Sequence, residues 1–310
     1  MASSQRLSPV HGMLNLNKPP GMASFAVVSL VRRLTRVRRV GHAGTLDPAA
    51  RGVLPICLGQ ATRVVEHLVD SSKTYRAQVR LGAATDTYDA TGTVIATADP
   101  SDVTEQQVQD VLRLYRGRIQ QLAPMYSALK HKGIPLYQLA RVGQTVERKP
   151  RSVTIHRLEL LEYAPPLLAL EVECGRGAYI RTIAHDLGQH LGCGAHLAGL
   201  IRIKAGPFLL EDALSLDDFR QAVREGVWEE FLHATDSVLT DWRAAILGEE
   251  HTRDVLEGRA FHLTPLRPER LMGLAPGARC RAYSADGRFL AILRYGGGRF
   301  WHPSKVFAPR

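Results

Sequence analysis

With 310 residues, 45% of them hydrophobic, the chain can bury one large core and a smaller second one, and it is too apolar for a disordered protein. No apolar run approaches the roughly 18 residues of a membrane span, and Met1-Ala2-Ser3-Ser4-Gln5-Arg6 lacks the apolar stretch of a signal peptide, so a cytoplasmic location is expected. Forty Lys and Arg against thirty Asp and Glu give a net charge of +10 and a pI near 9.7, which points to a polyanionic partner or to a generally basic proteome.

In chain order, Met13-Leu14-Asn15-Leu16 reads as a short strand that runs into a turn at Lys18-Pro19-Pro20-Gly21. A helix follows, with Ser24 as N-cap and Phe25, Val28, Val31 and Leu34 as its buried stripe. Arg32, Arg33 and Arg36 fall off that stripe, so the cluster they form with Arg38 and Arg39 should be exposed to phosphates or to water. Next comes Gly41-His42-Ala43-Gly44-Thr45-Leu46-Asp47-Pro48, one carboxylate in a run of small residues, five positions after a histidine. Little side-chain bulk lets a planar ligand reach the backbone, and Pro48 biases Asp47 toward an extended conformation. Such a loop either presents an acid to a substrate or is a surface turn in which Asp47 bonds its own backbone.

Lys73 to Leu81 alternates, with Tyr75, Ala77, Val79 and Leu81 on one face, as a half-buried strand requires. After turn residues at Asp86 to Gly92, Thr104 and Gln107 form a capping box for a helix through Val108, Val111, Leu112 and Tyr115. Periodicity weakens from Gln121 to Arg151, where Lys130, His131, Lys132, Arg141, Arg148, Lys149 and Arg151 accumulate. That segment is expected to be a mobile, ligand-gripping loop with a short helix near Tyr137 to Val142. Leu168, Leu170, Val172 and Cys174 alternate as a second clear strand. After the break at Gly175-Arg176-Gly177, a helix carries Ile180, Ile183, Ala184, Leu187 and Leu191 inward, with Arg181 off that stripe, and stops at Gly192. Ser215 with Asp218 caps another helix through Phe219, Ala222 and Val223. Beyond about residue 245 a short helical pattern at Glu249 to Leu256 precedes a glycine-rich, β-like tail, read as a separate small domain. The cysteines form no C-x-x-C pair and read as reduced, mostly buried thiols. The histidines contain no H-E-x-x-H, so no metal is expected.

Five blocks together resemble the bacterial tRNA pseudouridine synthase B (TruB) family, which converts the T-loop uridine at tRNA position 55 to pseudouridine. They are Lys18-Pro19-Pro20-Gly21-Met22-Ala23-Ser24, the stretch from Gly41 to Pro55, Lys73-Thr74-Tyr75-Arg76, Pro124-Met125-Tyr126-Ser127-Ala128-Leu129-Lys130 and Gly177-Ala178-Tyr179-Ile180-Arg181-Thr182. The resemblance implies Asp47 as the catalytic aspartate, Tyr75 as an active-site tyrosine and Arg181 as the arginine that pairs with the aspartate. It implies His42 beside a flipped-out nucleotide, and Lys18 and Pro19 in a loop packed on the catalytic loop. Tyr179 and Leu200 are expected against the substrate, and Lys130 and Lys132 in an insertion, about 121–151, that closes over the RNA arm.

The implied fold is α+β, a pseudouridine synthase-like mixed or antiparallel sheet with a central active-site cleft over residues 1–244, followed by a PUA-like RNA-binding domain over 245–310. The implied reaction detaches uracil from C1′, turns it and rejoins it through C5, which requires no metal, redox partner or other cofactor. The expected partner is the tRNA T-arm, with no membrane, and the expected state is a monomer. Asp47 would act as nucleophile at the sugar or would remove a sugar proton. Leu46, Ile180 and Leu200 could wall off water, or simply pack the core. Three other readings follow from the same residues. They are a non-catalytic RNA-binding or chaperone protein, a synthase for another RNA, and a glycoside hydrolase whose second acid would come from Asp86 or Asp89.

Overall fold

The computed structural model describes residues 10–263 and 274–307. Its main sheet is built on β1 (Gly12–Lys18), β2 (Val40–His42), β3 (Arg51–Leu58), β4 (Lys73–Leu81), β5 (Gly117–Gln121), β6 (Arg151–Ala164), β7 (Leu167–Cys174) and β8 (Ala195–Ala205). The order across the sheet is β1-β3-β8-β4-β7-β6-β5, with β2 beside β3 and two-residue strands at Leu214–Ser215 and Phe208–Leu209 on β1 and β8. All pairs among these are antiparallel except β1 with Leu214–Ser215 and β3 with β8, so the sheet is mixed. A second, five-stranded sheet holds Arg243–Leu247, Phe261–His262, Arg279–Ser284, Phe289–Gly297 and Phe300–Val306. The α-helices among the described residues run in chain order α1 (Ser24–Thr35), α2 (Val65–Asp70), α3 (Glu105–Leu114), α4 (Leu136–Arg141), α5 (Ile180–His190), α6 (Leu216–Glu225) and α7 (Glu249–Leu256).

Burial explains which strands the sequence shows. The alternating β4 packs Ala77, Val79 and Leu81 under α3 (Glu105–Leu114) and α5 (Ile180–His190), while Arg76, Gln78 and Arg80 stay exposed. β3 is covered on both faces. Leu54, Ile56 and Leu58 meet α1 (Ser24–Thr35) and α6 (Leu216–Glu225), while Val53 and Cys57 face a third core with Phe208, Ile292 and Phe307. Such a strand loses its period of two and reads as a plain apolar run. Ile292 belongs to the second sheet and Phe307 directly follows its last strand, so the two sheets share this core.

Several local expectations hold. Thr104 and Gln107 form the capping box, Ser215 accepts from the Asp218 N–H at 3.1 Å, and all four cysteines are buried and unpaired. Others need correction. Ser24 is the first helical residue rather than the N-cap, a position held by Ala23, and Phe25 is 66% exposed. The buried stripe of α1 instead runs through Val27, Val28, Leu30 and Val31. The segment 121–151 is not loop throughout, although its short helix lies where the sequence placed it. Lys130–His131 pairs with Ile134–Pro135 across Lys132-Gly133, both at positive φ (50° and 86°) as a two-residue hairpin turn demands, and a helix follows at Leu136–Arg141. Residues 264–273 and 308–310 of the tail lie outside the described residues.

Candidate active site

Asp47 sits on the loop between β2 and β3, and the loop is laced to the chain before it. Ser24 Oγ donates to the Leu46 carbonyl and accepts from the Leu46 N–H, both at 2.8 Å, while the Gly21 N–H donates to the Pro48 carbonyl at 2.8 Å. Lys18 is fully buried. Its ammonium donates to the carbonyls of Pro19 (2.9 Å), Met22 (2.6 Å) and Pro48 (3.1 Å), and burial lowers its pKa to about 8. Lys18 therefore braces the Asp47 loop from beneath, with Pro19 half-buried beside it. Ser24→Ala would leave two backbone groups of buried Leu46 unpaired. It is expected to cost about 1–3 kcal/mol, read as a lower denaturant midpoint.

Arg181, on the first turn of α5, is the hub. Its side chain is 6% exposed, and Nε lies 2.9 Å from Asp47 Oδ2, off the N–H axis, so the contact is an ion pair rather than an aligned hydrogen bond. Nη1 donates to Asp89 Oδ2 at 3.3 Å and Nη2 to the Tyr126 carbonyl at 3.0 Å. The Asp47 carboxylate keeps 39% exposure, enough to be reached from outside. Burial raises its pKa, and the Arg181 guanidinium opposes that shift. Helical period explains the placement of Arg181: Ile180, Ile183, Ala184 and Leu187 take the core side of α5, which turns Arg181 toward the loops at the sheet end.

Asp89, weighed in the sequence only as a possible second acid, is brought to the same guanidinium. Its other oxygen accepts from Thr87 Oγ1 (2.8 Å), the Thr91 N–H (3.0 Å) and Thr91 Oγ1 (2.6 Å), so this acid is held in a fixed turn. The neighbouring Tyr88 has a left-handed backbone (φ 66°), and its ring stacks on His185 at 3.8 Å, one helical turn beyond Arg181. Tyr88→Ala keeps the strain and loses the ring. It is expected to cost about 1–2 kcal/mol in thermal or chemical melts, whereas Tyr88→Phe should be near neutral.

Arg202, which sequence reading passed over, is 1% exposed at the middle of the sheet, paired with Gly52 on β3 and Tyr75 on β4. Its Nε donates to the Val53 carbonyl at 2.6 Å and Nη2 to the Gly44 carbonyl at 3.2 Å. Gly52 must be glycine, because φ is +110° and a Cβ would lie 2.2 Å from the Arg202 carbonyl oxygen. Burial raises the pKa of Tyr75, so it remains a phenol at neutral pH. Burial and Arg202 lower that of His42, whose Nδ1 has no partner among the described residues.

Gln121 fixes the start of α5, accepting from the Tyr179 N–H at 2.7 Å and donating to its carbonyl at 3.0 Å. The base of the 121–151 segment is thus pinned to the turn that carries Arg181. Lys130 and Lys132 are exposed on the hairpin and do not line the cleft beside Asp47. Leu200 is brought there: with Leu197, Ala198 and Gly199 of β8 it lines a cleft of about 40 Å³ closed by Asp47, Ala50, Asp89, Thr91 and Arg181. That is room for about one water, so a larger ligand must part these walls. A larger cavity of about 290 Å³, beside Leu14, Asp212, Glu230 and Phe231, contains none of these groups.

Residues 32–180 match the family model described as TruB family pseudouridylate synthase (N terminal domain), and residues 181–241 match that of the tRNA pseudouridylate synthase B C-terminal domain. A Dehalococcoides mccartyi protein named tRNA pseudouridine synthase B is 42% identical over 298 residues, 96% of this chain and 97% of its own. A protein of the same name from Pseudomonas aeruginosa is 42% identical over 296 residues, 94% of each chain. Among solved structures, a chain of a Cbf5-Nop10-Gar1 complex superposes with a TM-score of 0.73 at 24% identity, covering 96% of this chain and 85% of its own, a likeness of fold.

Proposed function

Since the chain belongs to the TruB family of pseudouridylate synthases, we propose that it isomerises the T-loop uridine at position 55 of tRNA, with Asp47 as nucleophile on a flipped-out nucleotide. The observation that carries this reading is the half-exposed Asp47 carboxylate, ion-paired at 2.9 Å to a buried arginine at the wall of a cleft.

Asp47 attacks C1′ as the C1′–N1 bond breaks and N1 keeps the electron pair. The uracil turns in place, C5 attacks C1′ as the bond to Asp47 breaks, and the C5 proton leaves while N1 gains one, so the net change is an isomerisation. Arg181 positions Asp47 and holds it ionised against the cost of its burial. Tyr75 offers a ring for stacking and a phenolic donor, because its raised pKa keeps the proton on oxygen. Extruding the base costs a few kcal/mol, offset by stacking and hydrogen bonds in which His42, Tyr75, Tyr179 and Leu200 take part. Lys130 and Lys132, on the hairpin of the 121–151 insertion, contact T-arm phosphates, and the second sheet acts as a PUA-like RNA-binding domain after a catalytic domain of residues 1–244. Lys18 and Pro19 act through the loop that they brace. The enzyme works as a monomer in the cytoplasm.

The test is conversion of an unmodified T-arm stem-loop RNA with EDTA present. Pseudouridine at the T-loop uridine is the expected product. RNA binding without any product would instead leave a binding protein or a synthase for another RNA.

A further inference from the structure

The solvent face of α1 carries a pattern that the fold does not use. Phe25, Ala26, Ser29, Arg32 and Arg33 are all exposed and form one face at helical spacing, with no acidic residue in the helix, and exposed Arg36 follows as its left-handed C-cap residue (φ 58°). Packing leaves Phe25 66% exposed and gives it no role in the core. A single exposed aromatic is ordinary on a protein surface. What sets this one apart is its position. Ser24, the preceding residue, is bonded twice to Leu46, which precedes Asp47, so the ring stands where the helix meets the catalytic loop.

From there the face leads away through two small residues to three arginines, of which Arg32 also donates to the Val40 carbonyl at 3.2 Å. Arg33 and Arg36 form no ion pair with any described residue, and Arg38 and Arg39 continue the positive charge beyond the helix. At 1.5 Å per residue, the helix from Phe25 to Thr35 spans about 15 Å, between four and five steps of a stacked strand, with Arg36 at its end.

We propose that this face of α1 is a rail for the substrate RNA strand flanking the extruded nucleotide. A neighbouring base stacks on Phe25 where the extruded one has left a gap, and the following phosphates lie along Arg33 and Arg36. An aromatic platform at one end of an unpaired basic stripe matches what a single-stranded or opened RNA segment offers, a π-face and a run of phosphates. Ala26 and Ser29 let the strand lie close to the helix. The inference rests on the proposed activity, since it places a strand of that same substrate.

The test measures binding of the T-arm stem-loop RNA across a salt series. Phe25→Ala is expected to weaken binding about tenfold without changing the slope of log affinity against log salt, and Phe25→Tyr to restore it. Phe25→Leu, apolar but without a ring, should not restore it. Arg33→Gln with Arg36→Gln should lower the salt slope by about 1.5, while Arg113→Gln, on α3 and paired with Asp110, leaves the affinity as it was. Wild-type affinity and slope in the Phe25→Ala and double-arginine variants, with the wild type binding and converting the RNA, would overturn the rail alone. Wild-type affinity in Phe25→Leu would overturn the stacking. A wild type that neither binds nor converts the RNA would remove the proposed activity along with the rail.

Discussion

Asp47→Asn is expected to abolish conversion, by at least about 10⁴-fold, in a chain that still folds and still binds T-arm RNA. An amide has neither the charge nor the lone-pair basicity to displace uracil from C1′, yet it matches the carboxylate in size. The effect on stability should go the other way. Asp47 has a folded-state pKa above its ordinary value, with burial as the main cause, so the native state disfavours its ionised form. The penalty is absent below the ordinary carboxylate pKa, grows as pH rises from there and is complete above the raised value, so it is present in full at neutral pH. Removing the charge therefore leaves stability at neutral pH unchanged or higher, apart from the lost ion pair. Denaturant unfolding beside a single-turnover assay checks both halves. Residual conversion within tenfold of wild type would exclude Asp47 as the nucleophile. For wild type, the acid limb of the rate profile should lie above the usual aspartate range.

Arg181→Lys is expected to lower conversion roughly 10²- to 10³-fold despite keeping the charge. One guanidinium meets Asp47, Asp89 and the Tyr126 carbonyl through three different nitrogens, and a lysine ammonium is a single point that cannot span them. Arg181→Met should do worse. It leaves two carboxylates facing one another without a cation, so stability falls by about 3–5 kcal/mol and the acid limb moves further up in pH. The shift of the pH profile separates positioning from mere structural support, since a general loss of packing lowers the rate without moving that limb. Asp89→Asn, which weakens the hold on Arg181 from the far side, should fall between wild type and Arg181→Lys. The Tyr126 contact links this network to the 121–151 segment that carries the hairpin, so the setting of Asp47 and the position of that segment share one side chain.

What local order could express was legible in the chain. Alternation in β4 placed Tyr75, the capping box at Thr104 opened α3, and the small-residue loop singled out Asp47. Each depends on residues within a turn or a strand of one another, where the period of burial is written directly into residue type. Tertiary structure decided the rest, because those positions are defined by partners far along the chain. Ser24 resembles an N-cap and instead binds Leu46, 22 residues on. Arg202 resembles a surface residue in an amphipathic strand, until the carbonyls of Val53 and Gly44, 149 and 158 residues away, satisfy its charge in the sheet centre. Asp89 meets Arg181 across 92 residues. The α1 stripe shows the same division: Val28 and Val31 inward and the arginines outward were plain in the sequence, but Phe25 was turned outward only when β1 and β3 took Val27, Val28 and Val31 as their cover.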